Sequence, residues 1–223
     1  MYEKVIEIIT GRYGKGTPDD NKIVDLLFGG EDAKERFELY FHWYNLIHEL
    51  GHGLMWFNSD ARPHPVNEEQ LVNDFAVAYW SHYGEKGKLD ELGTIVTYAL
   101  EHLKCPVGIG TTHVEYAFEK WGTKELYNFN NYGWFQFSCV KSSLFECKTL
   151  ESILPQMGVE NIRLQPKKEL SYLLTEEDST LRIIEDAVCV LREWGAILSD
   201  AIITFDNDPN RHMCNIIYNK QIK

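Results

Sequence analysis

The chain has 223 residues, 44% apolar and 25% charged, a composition that suits a folded protein with a substantial core and excludes extended disorder. A formal charge of -12 at pH 7 argues against a nucleic-acid backbone as the main ligand, because phosphate binding takes clustered Lys and Arg. No apolar run reaches the length of a membrane span and residues 1–13 lack a signal-peptide core, so the chain reads as cytoplasmic, without a membrane partner.

Val5, Ile6, Ile8 and Ile9 satisfy helical and strand periods equally poorly, and both assignments of the opening stretch stay open. Thr17, Pro18 and Asp20 provide an N-cap, a first-turn proline and a first-turn acid, which predict a short helix ending at Gly29 and Gly30. Residues 31–57 contain no proline, and Phe41, Tyr44, Ile47, Leu50, Leu54 and Phe57 recur at three- and four-residue steps. That spacing predicts one long helix with a buried stripe. The segment NSDARPHPV, with two prolines, reverses the chain. Asn67 with Gln70 resembles a capping box for a second helix, whose face of Leu71, Val72, Phe75, Ala76 and Tyr79 returns alongside the first.

A third helix is predicted over residues 88–103, with Leu92, Ile95, Val96, Ala99, Leu100 and Leu103 inward, and another over 111–121. Tyr127, Phe129, Tyr132, Trp134, Phe135 and Phe137 crowd one stretch that reads first as core and second as the lining of a substrate groove. Residues 136–154 read as helix. Thr175 with Asp178 looks like the cap of a final helix carrying Ile183, Ile184, Ala187, Val188, Leu191 and Trp194 up to Gly195. Two β-prone runs, 201–205 and 213–218, flank DNDPN and predict a hairpin. Cys105, Cys139, Cys147, Cys189 and Cys214 include no Cys-x-x-Cys pair and read as reduced thiols. With neither a linker nor a repeat, residues 1–223 read as a single mostly helical α+β domain with a small sheet or C-terminal hairpin.

Inside the long predicted helix stand His48, Glu49, Leu50, Gly51 and His52, written HELGH. Histidines four apart project from one helical face, as a pair of zinc ligands must. Glu49 beside them suits a carboxylate that takes a proton from water, since zinc lowers the pKa of a water it holds until hydroxide forms near neutral pH. The implied chemistry is hydrolysis. The two histidines fall on the flank of the apolar stripe, so their rings face a cleft wall while Leu46, Leu50 and Leu54 pack inward. A catalytic zinc takes three protein ligands. The HExxHxxGxxH extension is excluded by Met55 and Asn58, and His64, Glu68, Glu69 and Asp74 remain open as the third.

HELGH followed by Glu69, Asn73, Phe75 and Ala76 resembles the glutamate zincins, and more particularly the ImmA/IrrE family of small intracellular metallopeptidases, whose second helix carries Glu-x-x-x-Asn-x-Phe-Ala. The likeness spans roughly positions 48–80, with Val72 where the family usually has alanine. It implies a zincin-like domain with an active-site helix pair, a Zn2+ cofactor held by His48, His52 and Glu69, and Glu49 as general base. It further implies hydrolysis of an intracellular protein or peptide, with a DNA-binding repressor among the partners by analogy. Helical geometry agrees with Glu69: neighbouring positions diverge by about 100°, so Glu68 and Glu69 cannot both point at one metal. Glu69 also aligns at i+4 with Asn73, whose side-chain oxygen suits the free ring N–H of a ligating histidine. His64, between two prolines, is the rival. For the group that stabilises an oxyanion, His82, Tyr83, His102, His113, Tyr116 and His212 stay open. The alternative function is a catalytically silent zincin-fold interaction or regulatory protein; a structural helical domain with an accidental HELGH is the third reading.

Overall fold

Capping chemistry sets where several helices begin. Thr17 Oγ1 accepts the Asp20 amide while the Asp20 carboxylate accepts the Thr17 amide, and Thr112 and Glu115 repeat the exchange. The computed structural model describes residues 5–206 apart from 86, 161, 165, 167, 168, 175 and 176. In chain order its elements are β1 (Ile6–Gly11), α1 (Pro18–Phe28), α2 (Ala33–Leu39), a π turn (Tyr40–Tyr44), α3 (Asn45–Asn58) and α4 (Pro65–Tyr83). There follow α5 (Lys88–His102), α6 (His113–Lys120), α7 (Phe129–Glu146), α8 (Leu150–Ile153), a 3-10 turn (Leu154–Met157), α9 (Glu177–Glu193) and β2 (Ala201–Asp206). The architecture is α+β and mostly α, with a small parallel sheet.

The long predicted helix is present but interrupted: α2, the π turn and α3 run head to tail. A π turn carries one residue more than a regular helical turn, so it rotates the faces of α3 relative to those of α2. It also accommodates bulky rings: Trp43 is fully buried and stacks on Trp80 of α4 with centroids 4.1 Å apart. His42 places Nε2 2.8 Å from the Gly11 carbonyl and Nδ1 against Glu38, tying the turn to β1.

Helix α4 returns alongside α3, and Gly51 permits their close approach. A Cβ at that position would lie 3.0 Å from Phe75 Cδ1 and 3.2 Å from Val72 Cβ. Leu46, Ile47, Leu50 and Leu54 of α3 and Val72, Phe75 and Ala76 of α4 are buried in the main core, where removal of apolar surface from water is the chief stabilising term. A second apolar cluster, with Val66, Tyr116, Tyr132 and Phe135, joins α4, α6 and α7. Among the described residues no helix is long and apolar enough to cross a membrane.

Several expectations are corrected. Residues 201–206, the first arm of the predicted hairpin, run parallel to β1, with Ile6 opposite Ala201 through Gly11 opposite Asp206. The other arm, 213–218, lies outside the described residues, as does Thr175 of the expected cap. The opening stretch is therefore a strand, and its alternating burial is completed by a partner from the other end of the described chain. Asn67 and Gln70 do not cap α4. His64 does, its Nδ1 accepting the Val66 amide at 3.3 Å, because Pro65 suits the first helical position where an N–H has no partner. The helix expected over residues 136–154 begins instead at Phe129, where Asn128 caps it, and stops at Cys147 in the left-handed region at φ 47°. Phe129, Tyr132, Trp134, Phe135 and Phe137 thus sit on that helix, with Tyr127 just before it.

Candidate metal centre

Helices α3 and α4 bring His48, His52 and Glu69 together. The histidine rings lie edge to face with centroids 5.0 Å apart. Glu69 Oε2 stands 3.4 Å from His48 Nε2 and 3.7 Å from His52 Nε2. All three residues are buried, and one ligand atom from each lies within 4.8 Å of the others. Two imidazole nitrogens and one carboxylate oxygen converging on one point could hold a metal ion.

The remaining ring nitrogens support that fit. Asn73 Nδ2 donates to the Glu69 carbonyl at 2.7 Å, which turns Oδ1 the other way, 2.7 Å from the Tyr44 hydroxyl and 3.2 Å from His48 Nδ1. Burial pushes the Tyr44 phenol well above its usual range, so it donates. His48 Nδ1 must then carry its hydrogen towards Asn73, and Nε2 of the neutral ring keeps its lone pair for a metal. His52 is held in the same way by Glu68, whose Oε1 is 2.5 Å from Nδ1. The Arg62 guanidinium braces the same carboxylate, with Nε 2.9 Å from Oε2 and Nη2 on Oε1. Burial opposes the charge on Glu68, yet the hydrogen bonds from His52 and Arg62 outweigh it and hold the carboxyl below its usual range. Each histidine therefore has a separate acceptor behind it: an amide oxygen for His48, a carboxylate for His52.

The other candidates are placed elsewhere or otherwise engaged. Exposed His64 stacks on Phe118 with centroids 4.5 Å apart, at the start of α4. Asp74 is buried but accepts from Ser143 Oγ at 2.5 Å and Gln70 Nε2 at 3.1 Å on one oxygen, and from Lys148 Nζ at 2.7 Å on the other. Glu68 faces His52 from behind, not the point where the Nε2 atoms converge. Glu49 differs from its neighbours in being partly exposed, with Oε1 3.9 Å from His48 Nε2. It opens on a cavity of about 60 Å³ whose wall also includes His48, Glu69, Tyr40, Tyr132 and Gln136.

None of His82, Tyr83, His102, His113 and Tyr116 lines that cavity, and His212 lies outside the described residues. The hydroxyl-bearing side chains that do line it are Tyr40 and Tyr132. Sequence reasoning also missed Gln136, whose Nε2 donates to Glu69 Oε2 at 3.0 Å and to Tyr132 Oη at 2.8 Å. Tyr44 offered a signal, since it precedes His48 by four residues on the same helical face. Gln136, 67 residues beyond Glu69, offered none. Comparison with protein-family models, with curated proteins and with solved structures finds no match.

Proposed function

We propose that this chain is a zinc-dependent metallopeptidase that hydrolyses a peptide bond in an intracellular protein or peptide. The observation that carries the reading is the convergence of buried His48, His52 and Glu69, with both Nδ1 atoms already engaged, beside a partly exposed Glu49. Zinc suits two neutral imidazoles and a carboxylate, which leave the centre a net charge near plus one. When bound, it would supply a Lewis acid that polarises a carbonyl and lowers the pKa of a water towards neutrality.

The chain's own residues provide the rest. Glu49 accepts the proton of the attacking water and delivers it to the departing amine, a role that needs a carboxylate reachable from the cavity. Asn73 and Glu68 keep the two rings in one tautomer and orientation, and Gln136 holds the Glu69 carboxylate. The resemblance of HELGH and the following Glu69-x-x-x-Asn73-x-Phe75-Ala76 to the ImmA/IrrE pattern supports the same reading and suggests a DNA-binding repressor as substrate.

Elemental analysis after expression with zinc supplied tests the metal: about one zinc per chain is expected, lost in His48→Ala and in His52→Ala. Metal-free wild-type protein would sink the proposal. Glu49→Gln should keep the zinc and lose cleavage of a peptide library, because the amide keeps the shape and cannot take the proton. A zinc-loaded wild type that cleaves nothing would favour the alternative, an interaction protein that retains the centre without turnover.

A further inference from the structure

A second recess shares no lining residue with the cavity beside Glu49. It is an open groove of about 740 Å³ between α4, α5 and the end of α7. Leu89, Gly93, Thr97 and Glu101 recur every four residues along α5, so one continuous face of that helix forms a side of the groove over about three turns. Val77 of α4 and Leu144 of α7 join Leu89 in an apolar floor. The middle of the α5 face is low, because Gly93 has no side chain and a Cβ there would meet only Leu144 Cδ1, 3.8 Å away. Phe145, next in the chain after Leu144, stands 89% exposed.

Charge then selects the occupant. Asp90 and Glu101 are exposed at opposite ends of the α5 face, which a helical rise of about 1.5 Å per residue separates by about 16 Å. Among the described residues neither carboxylate is in an ion pair, and no Lys or Arg lines the groove. Lys88 and Lys148, which adjoin Leu89 and Cys147 in the chain, turn instead to Glu85 and Asp74. On a chain of formal charge -12, such a surface attracts cations and repels nucleic acid and anionic lipid.

We propose that this groove docks a basic amphipathic helix of a protein partner. A helix lays its apolar stripe into a groove through residues three and four apart, and a lysine or arginine near each end of the stripe reaches Asp90 and Glu101. A small polyamine would satisfy the two carboxylates but leave Val77, Leu89 and Leu144 facing water, so the floor favours the helix. The inference rests on neither the metal nor the metallopeptidase reading, and it holds equally for a protein without turnover.

Fluorescence anisotropy of the full chain with a labelled, stapled helical peptide tests it. The peptide carries leucines at three- and four-residue steps on one face and two lysines about eleven residues apart, to span the groove. Saturable binding is expected, weakened about tenfold or more when glutamates replace the lysines, and likewise when alanines replace the leucines. Asp90→Lys combined with Glu101→Lys should weaken the lysine peptide to a similar extent, and added salt should weaken it in the wild type. Gly93→Leu fills the middle of the groove at a helical position where the new Cβ makes only ordinary contact, so it should keep the fold by circular dichroism and lose the peptide. Absence of binding by the lysine and leucine peptide would overturn the proposal, as would equal binding of the glutamate or alanine versions or undiminished binding by Gly93→Leu. So would displacement of the peptide by an equal concentration of spermine, which carries charge without an apolar stripe. Zinc enters none of these readouts, so a metal-free chain would sink the metallopeptidase reading and leave this one standing.

Discussion

Glu68 and Glu69 are neighbours in the chain with opposite duties at the centre. Glu69 points its Oε2 at both Nε2 atoms, whereas Glu68 reaches behind His52 to its Nδ1 and is itself gripped by Arg62. A divergence of about 100° between successive helical positions makes this division possible, since one carboxylate approaches the Nε2 side of the ring and the next its Nδ1 side. Glu68→Ala should therefore keep the fold and lower zinc affinity by about 10–100-fold, read by competition with a chromophoric chelator. Glu68→Gln, whose amide oxygen can still accept from Nδ1, should retain more of the affinity than Glu68→Ala. Equal affinity in wild type and Glu68→Ala would show that His52 needs no such support. Asp74→Asn, by contrast, disturbs the contacts with Ser143 and Lys148 and should leave zinc affinity near wild type in the same assay.

At the scale of elements, the centre depends on how closely α3 and α4 pass. Gly51, the fourth residue of HELGH, faces Val72 and Phe75 so closely that a larger side chain must push the helices apart. Gly51→Leu touches no candidate ligand, yet it should lower stability by roughly 1–3 kcal/mol through overpacking. It should also weaken zinc binding by moving Glu69 away from the histidines. Denaturant titration and metal analysis on the same sample would show whether the two losses occur together. The end of α7 allows a cleaner test of local strain. Cys147 holds φ 47°, a conformation that L residues adopt at a cost and glycine adopts freely. Cys147→Gly should raise the unfolding free energy by about 1 kcal/mol, with zinc content unchanged.

Across the whole molecule, segments remote in sequence hold the helix pair from outside. β1 presses on α3, where Ile6 Cδ1 would lie 2.6 Å from a Cβ at Gly53, and β2 completes the sheet from the far end of the described chain. Asn58, the last residue of α3, clasps the segment after α9 with both ends of its amide. Its Nδ2 donates to the Ile197 carbonyl at 2.7 Å and its Oδ1 accepts the Ile197 amide at 2.8 Å. Asn58→Ala removes both bonds and should cost roughly 1–2 kcal/mol of stability at fixed zinc concentration. An unchanged denaturation midpoint would mean that water replaces the clasp without loss.

What could be read from the sequence alone is what depends on interactions within about four residues. The caps at Thr17 and the stop at Gly29 follow from side-chain to backbone hydrogen bonds along one turn, and the pairing of His48 with His52 follows from helical pitch. The place of Asn73 near a histidine was legible for the same reason, one turn beyond Glu69 on a face already assigned. The tertiary structure alone decided the contacts whose partners share no local pattern. The parallel pairing of β1 with β2 joins positions 6–11 to 201–206, whereas the turn signal DNDPN pointed to a partner nearer in the chain. The π turn buries Tyr40, Trp43 and Tyr44 together, with Trp43 stacked on Trp80, a partner that their own spacing does not reveal. Gln136 on Glu69 and the apolar pocket beside Glu49 likewise exist only because α7 crosses α4 in three dimensions. Local chemistry chooses the helices and their faces; which faces meet is settled by burial of the whole core at once.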